Sequence, residues 1–172
     1  PADGQILSIT HSPAPTELDW AGDFLKISIF LNVFDVHVNR CPHAGTLQRS
    51  LYHPGQFLNA SFDKASTLNE RHTYSLSVDL PDTTGTSESK TLDIAFVQIA
   101  GLVARRIVSE VSENQTLKAG ERIGIIRFGS RVDVYLPKET APLACVGQRV
   151  VGGETVLADL YIKGPGLKGH AH

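Results

Sequence analysis

A glycine followed by a serine, Gly129-Ser130, lies inside the run Arg127-Phe128-Gly129-Ser130-Arg131-Val132-Asp133-Val134-Tyr135-Leu136-Pro137. These two residue types can break a peptide bond from within the chain. Glycine leaves its carbonyl open to attack and tolerates strained backbone angles, because it carries no side chain. Serine supplies both a hydroxyl nucleophile and a β-oxygen that can later leave. A free serine is a weak nucleophile at neutral pH, so a base oriented by a third group has to lie within hydrogen-bond reach. If residues 35 to 39 are extended, Asp35, His37 and Asn39 share one face, an arrangement that can hold an imidazole in one orientation. Each feature also has an ordinary reading. Gly-Ser pairs mark turns and bulges, a lone strand histidine is most often structural, and Ala2-Asp3-Gly4 is a common turn sequence.

The elements that must position these residues read as strands. Helical periodicity is scarce, and short runs rich in Val, Ile, Phe and Tyr recur between Gly and Pro punctuation, which predicts a mainly β fold with few helices. Strands are expected over 4 to 10, 24 to 34, 44 to 51, 71 to 79, 91 to 99, 102 to 112, 122 to 127, 131 to 136 and 155 to 162. In an unbroken strand 127 to 136, Phe128, Ser130, Val132, Val134 and Leu136 share the apolar face, while Arg127, Arg131, Asp133 and Tyr135 point the other way. A hydroxyl on a buried face costs about 1 to 3 kcal/mol if unpaired. On this stretch alone, a serine bonded to backbone is the simpler reading. The polar segment 81 to 90 reads as a hairpin tip or loop, and the Gly-rich tail 163 to 172 as a frayed end.

A chain of 172 residues, 41% hydrophobic and 20% charged, suits one globular domain. The formal net charge of −2, with both signs scattered, does not suggest a nucleic-acid-binding face. Cys41 and Cys145 cannot make a disulfide framework or a cysteine zinc site, so a reducing compartment is expected. His43 and His53 lack metal-ligand spacing, and no metal is expected. His11, His72, His170 and His172 read as surface residues. The apolar run from Ile94 to Ala104 is well short of the roughly 20 residues that span a bilayer. The chain begins at Pro1 and contains no methionine, so it reads as a fragment or processed form, from which an anchoring segment is expected to be missing.

Recurring "strand, then Gly before a turn" units, such as Ala44-Gly45-Thr46-Leu47 and Gly147-Gln148-Arg149-Val150, resemble the hammerhead pieces of biotinyl and lipoyl barrels. Four segments carry a more specific likeness. They are Pro1-Ala2-Asp3-Gly4; Phe34-Asp35-Val36-His37-Val38-Asn39-Arg40; Tyr52-His53-Pro54-Gly55-Gln56-Phe57 with Asn69-Glu70-Arg71; and Phe128-Gly129-Ser130. Together, and in this order, they resemble the phosphatidylserine decarboxylase family, particularly its short archaeal-type members. The likeness runs from Pro1 to about Ala158.

The resemblance implies a proenzyme that cuts itself between Gly129 and Ser130. The serine hydroxyl attacks the glycine carbonyl to give an ester. β-Elimination then frees residues 1 to 129, and hydrolysis of the dehydroalanine leaves a pyruvoyl group on the piece 130 to 172. By the same resemblance Asp3, His37 and Ser130 are the catalytic set. Longer bacterial members carry Asp-x-His-x-x-His, whereas Arg40 stands here in place of the second histidine. His37 is therefore the only imidazole of the motif and is expected to serve cleavage, decarboxylation or both. The pyruvoyl cofactor would form a Schiff base with phosphatidylserine, accept the electrons released as carbon dioxide leaves, and give phosphatidylethanolamine. Arg40, Arg71, Arg131, Tyr52 and Phe57 are the candidate substrate-binding residues. The expected partners are the lipid, a membrane surface at the cytoplasmic face of the cell membrane, and the protein's own cleaved fragment, in a heterodimer that assembles further. Three alternatives stay open: a non-catalytic biotinyl- or lipoyl-like binding barrel, with Asp63-Lys64-Ala65 the nearest thing to a carrier lysine; a catalytically dead β scaffold binding lipid or protein; and a pyruvoyl decarboxylase acting on a soluble amino acid derivative.

Overall fold

The computed structural model describes residues 1–62, 64–81, 90–102, 106–127 and 129–164. The loop expected at 81 to 90, the tail beyond residue 164 and the ring of Phe128 fall largely or wholly outside them. The chain is mainly β and forms a single domain built on a curled antiparallel sheet, a half-barrel. Its elements are β1 (Gly4–Pro13), β2 (Asp23–Leu31), β3 (Val38–Arg40), β4 (Gly45–His53), a short helix α1 (Ala65–Leu68), β5 (Arg71–Leu80), β6 (Lys90–Ile99), β7 (Ile107–Ser109), β8 (Thr116–Leu117), β9 (Arg122–Ile126), β10 (Ser130–Pro137), β11 (Thr140–Pro142), β12 (Arg149–Val150) and β13 (Ala158–Lys163). The described residues order the main sheet β12-β1-β2-β10-β6-β5-β4-β8, with two small sheets, β3-β9-β7 and β11-β13.

Alternation builds the core. Ile27, Ile29 and Leu31 of β2 lie beside Val132, Val134 and Leu136 of β10 and Ile94 and Phe96 of β6, all buried on one face. Ile107, Ile123 and Ile126 from the small β3-β9-β7 sheet close over that face. Each fully buried side chain of this size contributes about 1.5 to 3 kcal/mol.

The opposite face is covered too, by a 3-10 turn at Thr16–Leu18 and by α1. Leu18, Ala65, Ala95, Val97, Ile99 and Tyr135 form a second apolar cluster there. The Arg131 face of β10, opposite the one that carries Ser130, is therefore also packed within the protein. The strand expected over 102 to 112 is also shorter than its composition suggests. Its described part pairs only over Ile107–Ser109, against β9. His72, read from sequence as a surface residue, is buried instead. It lies on β5 between β4 and β6, stacked on Tyr74 with ring centroids 4.5 Å apart and with Nε2 2.9 Å from the Ser50 hydroxyl.

Candidate active site

Register brings the chemistry-bearing residues to one end of the main sheet. Ser130, the first residue of β10, pairs with Leu31 at the end of β2, and Arg131 pairs with Ile99 at the end of β6. The segments leaving β2 and β6 therefore flank the Gly129-Ser130 bond. Ser130 is 0% exposed, and among the described residues its Oγ has no hydrogen-bond partner. Gly129 sits at φ +69°, a left-handed conformation that other residues adopt at a cost. Its carbonyl oxygen lies 1.6 Å from where a Cβ on Gly101 would stand. Only a glycine at 101 lets that carbonyl occupy its position.

His37 ends the segment leaving β2. Its side chain is buried, and Nδ1 lies 2.7 Å from the Asp35 carbonyl oxygen. A carbonyl can only accept, so Nδ1 carries the proton, and in the neutral ring Nε2 is then the basic nitrogen. The His37 carbonyl accepts from the Ile126 N–H at 3.2 Å, which places it beside the chain entering the 127 to 129 connection. Asp35 is held in turn. Its Oδ2 accepts from the Asn32 N–H at 2.7 Å, and its Oδ1 pairs with Arg149.

Asp3 is held by main-chain bonds at the start of the chain. Its Oδ1 accepts from the Gly152 N–H at 2.6 Å, and the Pro1 carbonyl accepts from the Arg40 N–H at 2.7 Å. The carboxylate thus ties the start of the chain to the 151 to 153 turn, while the Asp35 main chain orients His37.

A buried polar chain not anticipated as such lies beside the bond. Tyr74 donates to Gln98 Oε1 and Gln98 Nε2 donates to Asn39 Oδ1, both at 2.8 Å. Gln98 pairs in register with Val132, two residues along from Ser130 on the same face. Asn39 is 0% exposed, and among the described residues its Nδ2 has no hydrogen-bond partner. Asn39 of β3, with its open donor, is therefore bonded to the sheet face that carries the open hydroxyl.

The expected substrate arginines are largely committed. Arg131 is 1% exposed, ion-paired to Asp133 at 2.9 Å, and donates to the Ala60 and Phe62 carbonyls, each at 3.0 Å. It faces away from Ser130 and pins the 58 to 62 loop. Arg71 pairs with Glu17 at 2.9 Å and donates to the Thr67 carbonyl at 3.0 Å. Glu17 is held down at about 2 against the opposing effect of its burial, by hydrogen bonds from Arg71 and Thr73 and by the guanidinium charge. Arg40 donates to the Gly120 carbonyl at 2.9 Å. Tyr52 is exposed, and Phe57 is half-buried against the main core. Arg127 and Arg106 are exposed with no ion-pair partner among the described residues.

The Asn69-Glu70-Arg71 motif acts through the scaffold. The Asn69 amide donates to the Leu58 and Ala100 carbonyls at 2.7 Å, and its Oδ1 accepts from the Leu58 N–H at 3.0 Å. The Glu70 carbonyl accepts from the Ala100 N–H at 2.9 Å. These bonds fix the residue before Gly101, and Gly101 meets the Gly129 carbonyl. Lys64, the nearest sequence approach to a carrier lysine, stands at the start of α1 and not at a hairpin tip.

The family model described as phosphatidylserine decarboxylase matches residues 1–158. This chain belongs to the phosphatidylserine decarboxylase family. Its relatives include phosphatidylserine decarboxylase proenzymes of Gluconacetobacter diazotrophicus, 54% identical over 93% of this chain and 67% of the relative, of Paramagnetospirillum magneticum, 52% identical over 93% and 63%, and of Rickettsia bellii, 51% identical over 92% and 65%. The chain spans about two thirds of the length of the curated relatives it matches. No solved structure matches it. Among the described residues no helix is long and apolar enough to cross a membrane, and no group of three His, Cys, Asp or Glu could hold a metal ion.

Proposed function

We propose that the chain is a self-processing decarboxylase of phosphatidylserine, cut between Gly129 and Ser130 into the pieces 1 to 129 and 130 to 172. The observation that carries this reading is the buried, partnerless Ser130 hydroxyl next to a left-handed Gly129. An orphaned buried hydroxyl costs about 1 to 3 kcal/mol, and we read one retained next to a peptide whose left-handed turn glycine alone adopts freely as held for chemistry.

In the cleavage step the Ser130 oxygen bonds to the Gly129 carbonyl carbon and gives up its proton. The carbon–nitrogen bond breaks, and the freed nitrogen takes a proton in return. His37, with Nδ1–H committed to the Asp35 carbonyl, is the candidate acceptor of the serine proton through Nε2. Asp3, the third member of the expected catalytic set, braces the 151 to 153 turn through the Gly152 N–H. The surroundings of Ser130 suit the pyruvoyl group that this serine would yield, because its hydroxyl is buried without a partner and Asn39, bonded to Gln98 on the same sheet face, keeps a donor open. That group would supply the electron sink for loss of carbon dioxide from the serine head group. The chain's own residues would orient it, exclude water and return a proton, with His37 the candidate acid. A heterodimer of the two pieces follows, since β10 in the downstream piece pairs with β2 and β6 in the upstream one.

The mass of the denatured chain tests this reading. Two fragments meeting at Gly129/Ser130, the smaller without a free amino terminus, are expected for the wild type. Ser130→Ala is expected to give one uncut chain of 18.6 kDa. A wild-type chain that stays intact on long incubation would refute self-processing. Release of carbon dioxide from phosphatidylserine, and none from free serine or phosphoserine, identifies the substrate.

A further inference from the structure

The segment that leaves β2 beside Ser130 carries an unusual tip. Phe34 is 93% exposed, and its neighbours Val33 and Val36 are 43% and 57% exposed. This exposure is not slack. The Asp35 N–H donates to the Asn32 carbonyl at 3.0 Å, the Phe34 N–H donates to Asn32 Oδ1 at 3.3 Å, and the Asn32 N–H is held by the Asp35 carboxylate. Arg149 clamps the same carboxylate from outside. A turn braced at this many points holds its phenyl ring in water, where apolar surface is unfavourable unless something covers it.

Two further apolar side chains stand at the same end of the sheet. Leu102, 63% exposed, follows Gly101 at the exit of β6, and Phe62, 61% exposed, lies in the loop pinned by Arg131. The strand register places these exits together, because Leu31 pairs with Ser130, and Ile99 pairs with both Arg131 and Arg71. Among the described residues the exposed charge without an ion-pair partner around them is basic. Arg106 and Arg127 are exposed and free of ion pairs among the described residues, whereas Asp35 is neutralised by Arg149, and Glu70 is buried. Projecting apolar tips from separate loops, ringed by unpaired arginines, match the interface of an anionic bilayer, where rings enter the acyl boundary and cations meet phosphates.

We infer that the 32 to 36 turn is a membrane wedge, which inserts Val33 and Phe34 into the lipid surface and sets the mouth of the Ser130 site at head-group level. The inference rests on the proposed activity for its biological sense, since the substrate resides in that surface. Asp35 couples the two, because its side chain braces the wedge and its carbonyl orients His37.

The test separates docking from chemistry. The full chain is sedimented with vesicles of phosphatidylcholine, with and without phosphatidylglycerol. Tighter binding to the anionic vesicles that weakens with salt is expected, and Phe34→Ser is expected to lower that binding by about ten-fold. Phe34→Trp in a Trp20→Phe background is expected to bind as the wild type does, with its fluorescence quenched by bromine-labelled acyl chains. Cleavage at Gly129-Ser130 in Phe34→Ser, read by mass, should match the wild type and shows that the variant is folded. If no lipid is decarboxylated yet Phe34→Ser loses vesicle binding, the proposed activity fails and the wedge stands. A wild type that ignores both vesicles, a Phe34→Ser chain that binds them unchanged, an indole untouched by the quencher, or a loss of self-association with unchanged vesicle binding would each overturn the wedge.

Discussion

At the scale of single residues, Gly101 is the position on which the reactive geometry turns. Its missing side chain leaves the space that the Gly129 carbonyl oxygen fills, and a methyl group there would sit 1.6 Å from that oxygen. Nothing flexible can give way, because the atom in conflict is backbone. Gly101→Ala must therefore displace the scissile carbonyl. A misplacement of about 1 Å at a reacting centre can cost on the order of 100-fold in rate, so processing of Gly101→Ala is expected to slow by at least about ten-fold. A time course of fragment masses, run beside a circular dichroism spectrum that confirms the β fold, checks this. Processing at the wild-type rate would mean that the carbonyl does not need its contact with residue 101. Although residue type alone favours an ordinary buried serine and a structural histidine, Ser130 and His37 could be singled out from the sequence because the segments around them carry the family likeness. Gly101 could not be, since its contribution is an absence that matters only against a carbonyl 28 residues away in the chain.

Among the elements, the connection from β6 toward β7 is held by one side chain. Asn69 spends both donors and its acceptor on the Leu58 and Ala100 main chain, deep inside the protein. Its loss would leave those peptide groups buried without partners, at about 1 to 3 kcal/mol for each. Asn69→Ala is expected to lower the urea midpoint, by an amount corresponding to about 3 kcal/mol, and to slow processing even where the chain is still folded. Unchanged processing in a destabilised Asn69→Ala chain would separate this brace from the reactive peptide. The long strands β2, β5, β6 and β10 were legible in the sequence, because apolar alternation follows directly from the pleat. The strands β3, β8 and β12 were not, since two or three residues show no period. Nor was the covering of the second face, which depends on a 3-10 turn and a one-turn helix packed far from their chain neighbours. Arg131, a substrate-binding candidate on the strength of its family-like motif, lies on that covered face. Asp133, two residues on and on the same strand face, was the local sign that its charge is met within the protein.

For the molecule as a whole, two groups on different parts of the sheet make stability depend on acidity in successive windows. Burial, and then the charge of His53, lower the His72 imidazole from its ordinary 6.5 to about 4. The folded protein thus keeps His72 neutral where the unfolded chain would protonate it. Stability from this group is complete above about pH 6.5 and drains away as the pH falls toward 4. Glu17 runs lower. Although burial opposes its charge, Arg71 and Thr73 bring it from 4.5 to about 2, so its contribution is present above pH 4.5 and is lost between there and 2. Melting temperatures taken from pH 7.5 down to pH 3 should accordingly decline in two stages. His72→Gln is expected to lower the melting temperature at neutral pH, through loss of the ring stacked on Tyr74, yet to flatten the decline between pH 6.5 and 4. Arg71→Ala should leave that upper stage intact and flatten the lower one, because an unpaired Glu17 titrates nearer its ordinary value. An upper stage as steep in His72→Gln as in the wild type would assign it to another group. Both side chains lie on or against β5, which pairs with β6 and so steadies the Ile99 end that feeds Gly101. Processing is therefore expected to fall off in the same upper window as the fold loosens, ahead of global unfolding.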